Sequence, residues 1–474
     1  MNRKRRDFLK YLGVGGGSFA LGDLISPISR KPVTFEQSMS AESEKLYEEI
    51  ATYPHDDTHC HAFDDLDAET TPELFLRRIS LSGFSAAGYF PPGVFQEWSD
   101  GDARTKDTLN RQYNVEETVS EIIYHFSESV FVKYLIKEMA QFLGCSPDLN
   151  EIIEARNERG KNYWQYVNDL FQDAKIENII NDTGCCLQDP EDIDTFEDAI
   201  LPTQSRRIYR IETIQGELFR QDITFDELVN RFQTMVRNGL DGTGNYGKKS
   251  YGMKSYLMPY IGVMKPLYDP EIARQSWEEY KRNRDTNIED REESRRSGKD
   301  IKQYLLTLSM EECLERDMPM QFHIGAGAPG VILRNQDPYF LEEMVRFEKD
   351  GQIRMPKIIP VHAGYPLVGK AAWLSHQYTN CYLELSTMTP YVHQGLVSRY
   401  LQIMEAVPLS KILMGSDAYN MPELFWLTGK WGKRFLSQAL AVYVENKLLT
   451  REEALEAAKM ILYKNNRRVY NLPT

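Results

Sequence analysis

Short apolar runs, each closing on a polar residue, recur along the chain and alternate with longer stretches of helical spacing. Ile176 to Gly184 is one such run, with Ile179 and Ile180 at its centre, and Arg207 to Ile214 and Met253 to Leu257 follow it. Pro319 to His323, Lys357 to His362, Cys381 to Ser386 and Lys411 to Asp417 continue the series. Counted with a short run at His59–His61, the pattern predicts eight strands. Strands alternating with helices point to a parallel sheet, because parallel neighbours need a crossover between them. Eight such units point to an α/β fold of the closed TIM (β/α)8 type.

Two stretches interrupt the alternation. About a hundred residues after the first run are aromatic-rich and helical in spacing, including Leu74-Phe75-Leu76, Ile122-Ile123-Tyr124 and Phe131 to Ile136. They are expected to form a helical insertion, about 64–170, within a barrel domain spanning 41–474. Gln275 to Asp300 mixes Glu, Asp, Lys and Arg throughout, as a solvated helix and loop does.

The N-terminus belongs to neither pattern. Met1 to Lys10 is basic and contains Arg5-Arg6-Asp7-Phe8-Leu9-Lys10, followed by a Gly-rich, weakly apolar stretch from Tyr11 to Ala20. This resembles a twin-arginine export signal, so 1–40 is set aside as signal and linker, and a periplasmic or otherwise exported location is expected. Small residues at Ala20-Leu21-Gly22 and at Ser38-Met39-Ser40 both suit cleavage.

Composition narrows the partners. The 474 residues carry a formal charge of -14, which argues against a surface built to neutralise phosphates or anionic lipid. A small-molecule substrate and, at most, further copies of the chain are the expected partners, without nucleic acid or a stable membrane anchor. The six cysteines show neither zinc-site spacing nor a disulfide framework and read mostly as small buried hydrophobes.

The chemistry gathers where the runs end. Side chains at i and i+2 of a strand share a face, so His59 and His61 point together while Cys60 points away. His323 and His362 close the fifth and sixth runs, and Asp417 follows the eighth. Gly325 and Gly327 permit a tight loop after His323. Four of the eight histidines thus sit at predicted strand ends, at the C-terminal barrel face where active sites are built. His125, His376 and His393 fall in helical or loop patterns and read as incidental.

Asp57-Thr58-His59-Cys60-His61, Gln321-Phe322-His323-Ile324-Gly325, Val361 to Pro366 and Lys411 to Ala418 together resemble the amidohydrolase-related branch of the amidohydrolase superfamily. Ala457 to Leu472 is similar to that branch's closing helix, particularly to the barrel fused elsewhere to glutamine-synthetase-like domains. The resemblance implies one divalent metal, zinc first and manganese as the alternative, held by His59, His61, His323 and Asp417. It also implies that Asp417 accepts a proton from metal-activated water and that His362 polarises substrate or moves a proton. Lys254 lies where some members carry a carboxylated lysine bridging two metals; the rival reading is a lysine that binds an acidic substrate group. Arg210 and Tyr365 are further substrate-binding candidates, Arg210 being equally suited to a structural ion pair. The activity implied is hydrolysis of an amide, ester or lactone-like bond. Non-oxidative decarboxylation of a small carboxylic acid is the alternative, and an exported binding protein without catalysis is a third.

Overall fold

The protein is described by a computed structural model covering residues 39–80, 90–91, 93–185, 189–243, 247–284, 297–327, 332–346, 348–349, 352–353 and 356–472. Nearly all of the signal-like segment 1–40 and Cys186 lie outside the described residues.

Six strands form one parallel sheet: β1 (His55–Cys60), β2 (Ile176–Asp182), β3 (Gln204–Arg210), β4 (Met253–Ser255), β5 (Met320–His323) and β6 (Ile358–Val361). Each pairs with the next in chain order, so the sheet curls without a reversal of order. A second parallel pair, β7 (Leu383–Glu384) and β8 (Ile412–Leu413), meets both edges of that sheet. Single bridges link Ile358 to Cys381 on one side and Cys60 to Ala418 on the other. β5 and β6 are buried along their whole length and β2 at all but Glu177, so they carry apolar runs rather than an alternation. β1, by contrast, is wholly buried but polar, and β3 is half-buried at five of its seven positions.

Sequence and structure differ at the third strand. The expected span Arg207–Ile214 begins late and runs on too far, because the strand ends at Arg210 and a helix starts at Ile211. Ile211, Ile214 and Leu218 recur at helical spacing, and all three are buried on that helix.

The sheet's apolar centre contains Ile180, Ile208, Ile359, Val361 and Leu413, together with Val469, Tyr470 and Leu472 from the end of the chain. Gln321 Nε2 donates to Tyr470 Oη at 2.6 Å and to the Thr58 carbonyl at 2.8 Å, tying that terminus beneath two strands. Arg467 adds a two-pronged pair to buried Asp56, at 2.9 and 3.1 Å. Outside the sheet, the helix Tyr163–Ala174 packs on the long helix Pro422–Glu445, with the rings of Phe171 and Phe425 5.3 Å apart.

Between β1 and β2 the chain is helical, and residues Ala68–Lys161 form a compact unit distinct from the one built by Glu36–Asp67 and Asn162–Thr474. Its own core includes Phe75, Leu76, Val119, Phe131, Val132 and Leu135. Buried Arg156 donates to the Ala68 carbonyl at 3.4 Å and lies over the Phe75 ring. Among the described residues, no helix is long and apolar enough to cross a membrane.

Candidate metal centre

The residues singled out from the sequence converge at the C-terminal ends of the strands. His59 is the last residue but one of β1 and His61 lies just beyond the strand, and both present Nε2 to the same oxygen, Asp417 Oδ1, at 3.3 Å each. This shared face follows from the two-residue strand repeat. The loop carrying Asp417 is clamped by β1 itself: Asp417 N–H donates to the His59 carbonyl at 2.7 Å, and His61 N–H donates to the Ala418 carbonyl at 2.8 Å. Asp57 Oδ1 accepts the Ser416 N–H at 2.9 Å.

His323 ends β5, and His362 follows β6 directly. Their rings touch, with His362 Nε2 2.8 Å from His323 Nδ1. Lys254, at the middle of β4, is fully buried with Nζ 3.3 Å from His59 Nε2. Arg210 reaches the same end of the sheet but is engaged there, donating to Asp182 Oδ2 at 2.5 and 3.1 Å. Tyr365 stands half-buried on the turn after His362, where its backbone carbonyl accepts the Ala326 N–H at 2.6 Å. His376 lies apart from the cluster, with Nδ1 2.7 Å from the Ala406 carbonyl.

Backbone conformation marks the same positions. His362, Thr387 and Asp417 adopt φ of 67°, 57° and 57°, a left-handed region that side chains other than glycine occupy at a cost of about 1–3 kcal/mol each. Such residues cluster where surrounding contacts hold a functional geometry in place. Space is kept open beside them: a Cβ added at Gly327 would lie 2.6 Å from His323 Nε2.

The donor set suits a cation. His61 Nδ1 lies 3.2 Å from the Asp182 carbonyl, which can only accept, so Nδ1 carries the hydrogen. In the neutral ring Nε2 is then a lone pair facing a carboxylate oxygen. His59 Nε2 faces that oxygen as well, and its buried Nδ1 has no partner among the described residues. Two imidazole nitrogens aimed at one carboxylate oxygen need a positive charge between them. Without a metal a proton supplies it: burial works to lower His61, yet Cys185, Asp417 and Asp182 hold it up at about 9. Burial, with Lys254 beside it, lowers His59 to about 4. Burial would raise Asp417, but His362, His59 and His61 keep it well below the usual carboxylate range. A divalent cation would answer both imidazoles and the carboxylate at once.

Sequence reasoning missed several neighbours. Asp182 closes β2 and can join His59 and His61 as a third potential ligand, just as His362 can join His59 and Asp417. Asp182 obeys the strand-end rule already applied to Asp417, so the rule could have found it. Glu384, Ser386 and Thr387 lie at the end of β7. Glu384 is buried and accepts from Ser386 N–H at 2.8 Å, Ser386 Oγ at 2.6 Å and His362 N–H at 3.1 Å. Burial pushes this carboxyl up to about 8 against those donors. Tyr256, on the loop after β4, covers His323 with its ring centroid 4.3 Å away.

Beside the cluster lies an open cavity of about 480 Å³ lined by Arg210, Arg220, Glu212, Tyr256 and Tyr260, among others. The guanidinium of Arg210 stands 5.6 Å from the centre of the Tyr256 ring.

No family model matches the chain. A segment of 173 residues, 36% of the chain, is 29% identical to part of the protein fluG of Emericella nidulans, and the match spans only 19% of that longer protein. Among solved structures, a candidate metal-dependent hydrolase from Lactobacillus casei superposes with a TM-score of 0.63 at 21% identity, covering 90% of this chain and 97% of that one. Uronate isomerase from Thermotoga maritima gives 0.61 at 14% identity over 90% and 97%. Glucuronate isomerase from Caulobacter crescentus gives 0.58 at 15% over 95% and 98%. These likenesses extend over nearly the whole of each chain, and at such identities they show a shared fold.

Proposed function

We propose that this chain is a metal-dependent TIM-barrel hydrolase of the amidohydrolase type, acting on an amide, ester or lactone-like bond of a small molecule. The observation that carries the reading is the convergence of His59 Nε2 and His61 Nε2 on Asp417 Oδ1, each at 3.3 Å. His59, His61 and Asp417 would hold one divalent cation, zinc or manganese, with His323 supplying a further nitrogen and Asp182 or Lys254 adjusting the local charge. A cation bound there supplies Lewis acidity, polarising a substrate oxygen and making water more acidic.

The chain's own groups do the rest. Asp417 has one oxygen toward the imidazoles and the other held by Thr387 Oγ1 at 2.5 Å, so it is oriented to accept a proton from an attacking water. His362 is engaged at both nitrogens, which suits it to orienting its neighbours more than to stabilising an oxyanion. Arg220 at the cavity wall would meet a substrate carboxylate, while Arg210 on the same wall is committed to Asp182, and Glu212 and Glu217 also line it. Tyr256 and Tyr260 offer the substrate an aromatic flank.

That same wall supports a second reading, loss of carbon dioxide from a small carboxylic acid. The two are separated by screening lactones, amides and aromatic carboxylates against protein loaded with zinc or manganese. Water incorporated into product supports hydrolysis, carbon dioxide released without it supports decarboxylation, and an isomeric product overturns both. Asp417→Asn should abolish turnover, and turnover surviving that change refutes the proposed role. Export by the twin-arginine route belongs to the same proposal. Replacing Arg5 and Arg6 with lysine should leave the chain in the cytoplasm, and unchanged fractionation would overturn it.

A further inference from the structure

His362 lies between two hydroxyls and a second imidazole, and the directions of those contacts leave little freedom. Ser386 Oγ is 2.6 Å from Glu384 Oε2, and Thr387 Oγ1 is 2.5 Å from Asp417 Oδ2. A hydroxyl has one hydrogen to donate, and here each gives it to a carboxylate. Both hydroxyls also contact His362 Nδ1, at 2.8 and 2.9 Å. With their hydrogens already committed they can only accept there, so the hydrogen between them and the ring sits on Nδ1. The Thr387 arm gives this direction whatever the charge on Glu384.

The consequence passes along the chain of contacts. In the neutral ring His362 Nε2 is then a lone pair. It lies 2.8 Å from His323 Nδ1, which must then donate. That leaves the lone pair of His323 on Nε2, a buried atom with no hydrogen-bond partner among the described residues. It is also the atom beside the gap at Gly327, where a Cβ would stand 2.6 Å away.

We propose that Ser386 and Thr387 are positioning residues that set the ring tautomers of His362 and, through it, of His323, so that the unprotonated nitrogen of His323 is Nε2, the atom facing Gly327. Neither hydroxyl needs to touch substrate or metal. The purpose of the arrangement rests on the proposed cation-binding function, while its hydrogen-bond directions do not. Groups that orient a ligand histidine through its other nitrogen typically change metal affinity by about 10–100-fold when removed.

The test uses the full chain, stripped of metal and labelled with 15N in its histidine rings, with ring signals assigned by single-histidine variants. The expected wild-type spectrum shows both His362 and His323 protonated at Nδ1 only. In Ser386→Ala/Thr387→Val, His362 loses both acceptors, and its hydrogen is expected to move to Nε2, with that of His323 following. Zinc affinity should then fall by about tenfold or more. Thr387→Ser keeps the hydroxyl and should keep the wild-type ring pattern. A wild-type His362 protonated at Nε2 overturns the inference, as does a double variant with unchanged tautomers. If the double variant does not fold, the wild-type and Thr387→Ser spectra still decide. The expected tautomers without zinc binding would refute the proposed function alone, and zinc binding with reversed tautomers would refute this inference alone.

Discussion

Removing the guanidinium of Arg210 is the sharpest perturbation of the charge arrangement under the site. Asp182 is fully buried and Arg210 only 16% exposed, and they meet through contacts of 2.5 and 3.1 Å. Burial alone would raise the Asp182 carboxyl, yet Arg210, with His61, His59 and Lys254, holds it well below the usual range. Its folded pKa is therefore depressed. The stability it contributes is present above the unfolded value of about 3.9 and is lost as pH falls toward the folded value. Arg210→Met leaves a buried carboxylate without its main counter-charge, and breaking a buried pair from one side costs about 3–5 kcal/mol. Asp182→Asn in the same background removes the stranded charge and should recover much of that loss. The assay is guanidinium unfolding at neutral pH, followed by tryptophan fluorescence, for wild type, both single variants and the double variant. A coupling energy of about 2 kcal/mol or more is expected from the cycle. Coupling under about 0.5 kcal/mol would refute the reasoning, because it would mean that solvent or His61 already compensates Asp182.

Three further outcomes follow from other parts of the structure. Lys433 is buried, donates to the Tyr53 and Ala174 carbonyls at 2.6 and 2.9 Å, and is lowered by burial to about 7. The unfolded chain therefore binds more protons here between about pH 7 and 10, and this lysine makes stability rise with pH across that window by up to about 1.4 kcal/mol per unit; unfolding midpoints of Lys433→Met should lack that slope, and a slope equal to wild type would count against it. Gly327→Val should weaken zinc binding without unfolding the chain, since its side chain would occupy space next to His323 Nε2; calorimetric titration giving wild-type affinity would contradict this. Tyr470→Ala should destabilise the chain by about 3–5 kcal/mol, through a cavity beneath the sheet and the loss of the Gln321 contact, and thermal unfolding reads it directly.

The strand series and its polar ends were legible in the chain because they depend on local, periodic information. A strand core is usually apolar and a polar residue at its end breaks that pattern, so Ile179-Ile180 before Asn181-Asp182 and Ile358-Ile359 before His362 are visible without coordinates, although β1 is wholly buried and mostly polar. The two-residue repeat likewise determined that His59 and His61 share a face. What the repeat could not reach was pairing between residues hundreds of positions apart. Only the tertiary structure decided that Arg210 is engaged by Asp182, that Lys254 stands against His59, and that His362 touches His323 on one side and two hydroxyls on the other. It also gave partners to Glu384, Ser386 and Thr387: the run Cys381 to Ser386 is visible in the sequence, but what its polar end touches is not. Hydrogen-bond direction is a property of such meetings, set by which atom lies within about 3 Å of which. The sequence therefore determined which residues reach the end of the sheet, and packing decided what each of them faces there.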